Sequence, residues 1–359
     1  MHRPSSRTRS RARSSALSSF VSLALVLSAA TACGGGDEPS TAGGEGSGGD
    51  DLELVYITNG VDPFWTIAAA GVKDAAEEFG VDCDVRMPED GTSATQKQML
   101  EDALTLGKDG IAISPVDGDN MASLVDQAAA LTNVITHDSD APSSQRLCYV
   151  GTDNYAAGRE CGKFVKEAMP DGGSLIIFIG RLEQDNARLR RQGVIDEVLG
   201  RSYDPSRFDP VSETVEGNGY TILDTRTDNF DKPRAKANAE DALARYPDLG
   251  CMVGLFAYNP PACLEALRVA NRLGEVAVVA FDEADETLQG IADGTVVGTI
   301  TQQPYEYGWH SVRILTALAK GDRSVLPEGG VLDVPIVPVT PENVEEFRVK
   351  KAELLERGR

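Results

Sequence analysis

Residues 54–65, LVYITNGVDPFW, read as a buried strand emptying into a loop of polar and aromatic groups. The apolar residues Leu54, Val55, Tyr56 and Ile57 end at Thr58-Asn59-Gly60, and Pro63-Phe64-Trp65 then opens a helix that runs to about Phe79. That is the first strand, loop and helix of a βα unit. In open α/β sheets ligands bind at the carboxyl ends of the strands. Asn59, Asp62, Phe64 and Trp65 are therefore expected on a rim where a ligand belongs. The competing reading makes Phe64 and Trp65 the first core residues of the helix and Asn59 a turn residue, although an adjacent Phe-Trp pair at a strand mouth is unusual for plain packing.

Outward from this stretch the same alternation continues. Strands are predicted at 81–86, 110–114, 133–137 and 147–151, with helices at 92–106, 118–131 and 155–168 between or after them. A second series follows: strand 174–179, helix 185–199, a strand near 212–216, helix 231–246, strand 250–256, helix 261–273, strand 275–280, helix 284–292 and strand 295–301. Strands alternating with helices predict parallel sheets covered on both faces, and right-handed crossovers make each series its own doubly wound lobe. The expected fold class is α/β with two Rossmann-like lobes.

At the amino end, Arg3, Arg7, Arg9, Arg11 and Arg13 precede an apolar run from about Ala16 to Ala30, followed by Thr31-Ala32-Cys33. This is the charged region, short apolar region and small-residue cleavage site of an export signal, too short to span a bilayer. With Cys33 directly after the small residues, the segment resembles a bacterial lipoprotein signal, in which that cysteine is lipidated. It departs in carrying Ala30 rather than Leu three places before the cysteine, so ordinary signal cleavage stays an alternative. Residues 34–49 are rich in Gly, Ser, Glu and Asp, a composition that suits a flexible tether reaching roughly 20–25 Å. The expected organisation is a signal over 1–32 and a tether over 33–51.

The formal charge of −22 includes those five arginines and becomes about −27 once they are removed. So acidic a body argues against nucleic acid or an anionic membrane surface as a partner. Five cysteines remain, Cys83, Cys148, Cys161, Cys251 and Cys263, none with CxxC spacing. Cys148 and Cys161 could come level across a sheet and its returning helix and form a bridge; buried free thiols are the alternative. The three histidines, His2, His137 and His310, are too dispersed for a histidine metal site.

The informative polar residues stand just past the predicted strand ends: Asn59, Phe64, Trp65, the pair Asp138 and Asp140, and Asp153-Asn154 in the first series. The second series offers Asn186, Arg190, Tyr258-Asn259, Asp282 and Gln302-Gln303. Carboxylates, amides and guanidinium groups bridge paired hydroxyls bidentately, and aromatic plates stack on the C–H face of a sugar. A phosphate site would call for Gly-rich loops, yet GxxxxGK[ST] does not occur and no GxGxxG follows a predicted strand. Asp138, Asp153 and Asp282 could instead be caps or turn residues. Asp138 with Asp140 could form a hydrolytic acid pair, but no spacing places them across a scissile bond.

Taken in order, these motifs resemble the type I periplasmic binding proteins, the ribose/xylose/galactose-type solute receptors of ABC importers. The resemblance runs along residues 52 to about 345. It is carried by Asn59 with Pro63-Phe64-Trp65, His137-Asp138-Ser139-Asp140-Ala141-Pro142, Tyr149-Val150-Gly151-Thr152-Asp153-Asn154 with Ala157-Gly158-Arg159, and Arg190 with Gly193. Tyr246-Pro247-Asp248-Leu249, Tyr258-Asn259, Phe281-Asp282 and Gln302-Gln303-Pro304 complete it. It implies a three-segment hinge, a first lobe of 52–153 plus 303–328 to which a helix at about 305–320 returns, a second of 154–302 plus 329–355 that takes a strand at 331–337 and a helix at 341–355, and closure over a monosaccharide or related polyol. The sugar-contacting positions it implies are Asn59, Phe64, Trp65, Asp138, Arg190, Asn259, Asp282 and Gln302. Ser139 stands where ribose receptors often have Arg, which puts ribose itself in question.

The expectation is an exported, lipid-anchored, monomeric solute-binding protein of the cell envelope, not an enzyme, without cofactor or metal. It would deliver a sugar to ABC permease subunits, touching the membrane only through its anchor and binding no nucleic acid. A sugar-sensing receptor docking on a histidine kinase or chemoreceptor is the first alternative, and an extracellular sugar-acting enzyme the second. Sugar-responsive repressors share the lobes, but carry a DNA-binding helix pair where this chain has an export signal.

Overall fold

The computed structural model describes residues 52–359; the export segment, Cys33 and the tether lie outside the described residues. The apolar run at the start forms strand β1 (Glu53–Ile57), and the helix after it, α1 (Pro63–Phe79), is capped by Asp62, whose side chain accepts from the Phe64 amide. The chain continues through β2 (Asp82–Arg86), α2 (Ser93–Thr105), β3 (Gly110–Ile113), α3 (Gly118–Ala129), β4 (Asn133–His137) and β5 (Tyr149–Gly151). It then runs through α4 (Asn154–Ala168), β6 (Gly173–Ile179), α5 (Asp185–Val198), β7 (Val215–Gly217), β8 (Tyr220–Thr227) and α6 (Lys232–Arg245). Next come β9 (Cys251–Gly254), α7 (Asn259–Val269), β10 (Ala277–Phe281), α8 (Asp285–Ala292) and β11 (Thr299–Thr301). It ends with α9 (Pro304–Ala319), β12 (Val331–Asp333), β13 (Val337–Val339) and α10 (Val344–Arg357).

Two sheets result. The first has the order β12-β5-β4-β3-β1-β2, every pair parallel. The second runs β13-β11-β10-β9-β6-β8-β7 and is parallel except at its edges, where β13 and β7 pair antiparallel. Each sheet is buried on both faces, which is why its central strands are continuous apolar runs rather than alternating ones. Leu54 and Tyr56 join one core of the first lobe, while Val55 and Ile57 join the other. In β6, Leu175, Ile177 and Ile179 face one core of the second lobe, and Ile176 and Phe178 the other. The chain passes between the sheets three times: from β5 to α4, from β11 to α9, and from β12 to β13.

Two expectations need correction. Residues 331–337 are not one strand of the second lobe. Val331, Leu332 and Asp333 pair with Tyr149, Val150 and Gly151 at the edge of the first sheet, and only after Pro335 does the chain cross to pair Val337 with Thr301. The strand expected near 212–216 is a hairpin. β7 turns through Asn218-Gly219, both at positive φ, into the eight-residue β8, which pairs with β6. Of the two readings left open for Cys148 and Cys161, the structure has buried free thiols. Cys148 is buried in the first lobe, whereas α4 carries Cys161 away into the core of the second.

Candidate functional site

The carboxyl ends of both sheets meet across a cavity of about 250 Å3, lined from the first lobe by Asn59, Phe64, Trp65 and Asp138. The second sheet and its connections contribute Asn186, Arg190, Phe230, Phe256, Asp282 and Gln302. At about 30 Å3 per water this holds roughly eight waters, the scale of one monosaccharide. A wider groove of about 1150 Å3 borders Asp62, Phe64, Lys232 and Tyr258 outside it, but the directed polar groups converge on the smaller space.

Asp138 and Asp282 occupy equivalent positions in the two lobes. Each is the residue directly after a strand, β4 or β10, and each has a left-handed backbone, with φ of 56° and 64°. A non-glycine residue pays roughly 1–2 kcal/mol for that conformation, less for Asp than for most. Such strain gathers at ligand sites because the surrounding structure fixes it. Both carboxyls are almost fully buried. Asp138 Oδ2 accepts from Asn59 Nδ2 (3.1 Å) and Ser114 Oγ (2.9 Å), and Asn59 also donates to Ser114 Oγ (2.9 Å). Asp282 Oδ1 accepts from Gln302 Nε2 (2.8 Å), and Gln302 Oε1 accepts from the Tyr307 hydroxyl (3.1 Å). Tyr307 in turn contacts Thr152 Oγ1 (2.7 Å), which donates to the Val334 carbonyl (2.9 Å). One run of close polar contacts thus joins all three inter-lobe passages to Asp282.

Arg190 stands between the two acids. It is 1% exposed, with its guanidinium carbon 4.2 Å from the centre of the Phe281 ring. Nε donates to Asn154 Oδ1 (2.8 Å) and Nη1 to the Leu255 carbonyl (3.3 Å), while Nη1 lies 3.8 Å from Asp282 Oδ2. Arg190 Nη2, Asn186 Oδ1 and Gln184 Nε2 are buried without a hydrogen-bond partner among the described residues, and all three residues line the cavity. A buried polar atom left unpaired costs about 1–3 kcal/mol, so these atoms are where a hydroxylated ligand would contribute most. Phe64 and Trp65 meet edge to face at 4.9 Å and present their margins to the cavity while their bodies join the first core. Behind Trp65, His137 stacks on Tyr56 at 3.9 Å. Its Nε2 faces the Ile57 carbonyl (3.2 Å), so that nitrogen carries the proton, and burial holds the ring neutral by pushing its pKa down to about 3.

Asn259 is not brought to the cavity wall. It is fully buried behind it, its Oδ1 accepting from the Phe256 amide (3.1 Å) and its Nδ2 donating to Asp228 Oδ2 (2.8 Å). The reason is local: Asn259 starts α7 and its side chain closes its own turn. The Asp138–Asp140 pair is divided as well. Asp140 accepts both nitrogens of the Arg146 fork and the Thr136 hydroxyl, away from the cavity. Asp153 caps α4, accepting from the Ala156 amide, while Asn154 orients Arg190.

Burial raises the pKa of Asp138 and Asp282 against the lowering pull of Arg190, and raises Glu283 further because Asp282 is adjacent. Burial likewise lifts Asp228 to about 6 despite its hydrogen bonds from Tyr258 and Asn259. These carboxyls hold protons more readily folded than unfolded. The stability each contributes is present below its unfolded pKa near 4 and is lost as pH rises through its raised folded value. His137 and His310, both shifted down by burial, act in the opposite direction below about pH 6.5. With Asp228 and Asp282 raised to about 6 and Glu283 to about 8, against the two imidazoles, the melting temperature of the unliganded protein is expected to rise between pH 7.5 and 5.5. A fall over that interval would contradict the burial of these acids.

Comparison with known proteins follows the same line. A family model described as a periplasmic binding protein domain matches residues 54–323. A ribose import binding protein, RbsB, of Salmonella typhimurium is 24% identical over 277 residues, covering 76% of this chain and 86% of the relative. A D-allose-binding periplasmic protein of Escherichia coli is 22% identical over 273 residues, covering 73% of this chain and 83% of the relative. Among solved structures, an ABC transporter solute-binding protein from Burkholderia graminis, in complex with D-arabinose, superposes with a TM-score of 0.73 at 27% identity. It covers 82% of this chain and 96% of its own.

Proposed function

The chain belongs to the type I periplasmic binding protein family of sugar ABC importers, and from that premise we propose that it captures one monosaccharide or related polyol between its lobes for delivery to an ABC permease. The observation that carries this reading is the convergence on one cavity of Asp138, Asp282, Arg190 with its unpaired Nη2, and the Phe64 and Trp65 margins. Paired hydroxyls donate to the carboxylates and accept from the guanidinium together, and the aromatic margins take the apolar face. Asn59 and Gln302 hold the two carboxylates in place and share the cavity wall. Because the partners sit on different lobes, a sugar gains both sets of contacts only when the lobes meet, and that difference drives closure.

The protein is proposed to be exported and held to the membrane by lipid on Cys33 through the tether of 33–51, and to act as a monomer that binds and releases without chemistry. Mass spectrometry of the membrane-extracted protein would detect the lipid.

Calorimetric titration with D-ribose, D-arabinose, D-xylose, D-allose, D-galactose and the corresponding polyols tests the ligand class. At least one should bind with micromolar or tighter affinity. The chain has two tryptophans. Trp309 donates to Glu78 and does not line the cavity, so binding should change the intrinsic fluorescence through Trp65 and the change should vanish in Trp65→Phe. Failure of every monosaccharide and polyol, with a thermal shift from a free nucleobase instead, would replace the sugar reading.

A further inference from the structure

Helix α10 lies beyond residues 54–323, the part that matches the family model. It is rooted in the second lobe: Val344 enters a second-lobe core, Phe347 packs against that core, and Lys351 is 7% exposed. Lys351 Nζ donates to the Glu283 carbonyl and to Asp285 Oδ1 (2.6 Å), pinning the turn that begins with Asp282. At its other end the helix reaches the first lobe. Arg357 Nη1 donates to Asp74 Oδ2 (3.2 Å), which also accepts from the Tyr305 hydroxyl (2.9 Å). Gly358 presses so closely on α1 that a β-carbon there would lie 1.9 Å from the Thr66 carbonyl oxygen, one residue past Trp65. Grooves of about 1150 and 510 Å3 flank α10, so it is held at a few points, Val344, Phe347 and Lys351 on the second lobe and Arg357 and Gly358 on the first.

We propose that α10 is a strap between the lobes, tying the turn that carries Asp282 to the helix that carries Phe64 and Trp65, and that Lys351, Arg357 and Gly358 are positioning residues for the closed cleft. Opening moves α1 away from the second lobe, so the Arg357–Asp74 pair and the Gly358–Thr66 contact separate unless α10 itself lifts. The strap therefore biases the unliganded protein toward closure and slows release of whatever the cleft holds. Its affinity arm rests on the sugar-capture reading; its conformational arm does not.

The test compares the full chain with Arg357→Glu/Gly358→Leu, which opposes Asp74 with a like charge and places bulk against α1. Small-angle scattering of the unliganded proteins should give a larger radius of gyration for the variant, with circular dichroism showing that it remains folded. With D-ribose and D-arabinose as probes, dissociation of whichever binds should be about fivefold faster, the lower end of ordinary coupling between sites. Arg357→Glu alone should shift both readouts in the same direction, and adding Asp74→Arg to it should restore them, which a merely disturbed helix would not do. Superimposable scattering curves, or faster release that the charge swap leaves in place, would overturn the strap. A wild type that binds neither these probes nor the rest of the sugar series, while the scattering still differs, keeps the strap and removes the sugar reading.

Discussion

Replacing Arg190 by alanine should reduce sugar affinity by two to three orders of magnitude, the largest loss expected from any single change in the cleft. Arg190 is the cation between Asp138 and Asp282, and it carries an unpaired nitrogen on the cavity wall. Truncating a charged group that hydrogen-bonds its partner across a buried binding interface costs about 2–5 kcal/mol, because the ligand hydroxyls are left desolvated without it. At 1.4 kcal/mol per factor of ten the middle of that range is roughly 10²–10³-fold. Stability suffers too, so Arg190→Lys is the second variant. Lysine keeps the charge but not the planar fork that bonds Asn154 and the Leu255 carbonyl at once, and a bidentate site does not treat the two as equivalent. Calorimetry on both variants, each checked for folding by circular dichroism, should give a severe loss for alanine and a loss of about tenfold for lysine. Affinity unchanged in a folded Arg190→Ala protein would show that the guanidinium does not touch the ligand.

What was legible in the sequence follows from where the chain declares itself. The βα alternation is plain because central strands such as β1 and β6 are buried on both faces and read as unbroken apolar runs. The residues directly after such strands, Asp138 and Asp282, could be placed on the rim from that pattern alone. β8 was harder. Its residues Tyr220–Thr227 alternate between buried and half-buried and include Asp224 and Arg226, which pair with each other at the margin of the sheet. The signal for it was the Asn218-Gly219 pair, the preferred centre of a two-residue hairpin. Missing β8 hid the loop at its carboxyl end, and with it Phe230, which stacks on Phe256 at 5.4 Å against the cavity. Phe256 was masked differently: the run 250–256 reads as one strand, but the strand stops at Gly254 and leaves Phe256 on the rim. Gln184 carries no such signal, since an amide ahead of a helix looks like any polar loop residue. Asn259 shows the opposite error. An asparagine past a strand end resembles a ligand residue, and only the packed structure reveals that its amide is spent on Asp228 and the Phe256 amide.

The second large effect is expected on stability, at a glycine. α4 and α5 cross so closely that a β-carbon at Gly158 would stand 2.2 Å from the Arg190 carbonyl oxygen, and one at Gly193 would stand 2.2 Å from that of Tyr155. The first lobe uses the same device where α1 meets α9: Gly71 faces the Tyr305 carbonyl oxygen at 1.9 Å and Gly308 that of Ala68 at 2.1 Å. Two effects compete when alanine replaces Gly158. Helix propensity favours alanine by about 1 kcal/mol. Against it, the methyl group meets backbone that cannot rotate away, so one helix must shift, and overpacking of this kind costs typically 1–3 kcal/mol or more. The packing term wins, and Gly158→Ala should lose about 2 kcal/mol in denaturant unfolding, with Gly158→Val losing more. Because the displaced atom belongs to Arg190 itself, the surviving folded protein should also bind sugar more weakly. Gly308→Ala, whose neighbour Ala68 lies outside the cavity lining, should destabilise comparably with a smaller change in affinity. Gly158→Ala as stable as the parent would mean that α4 and α5 stand too far apart for a β-carbon at Gly158 to meet the Arg190 carbonyl oxygen, and Arg190 would then sit elsewhere relative to the cavity.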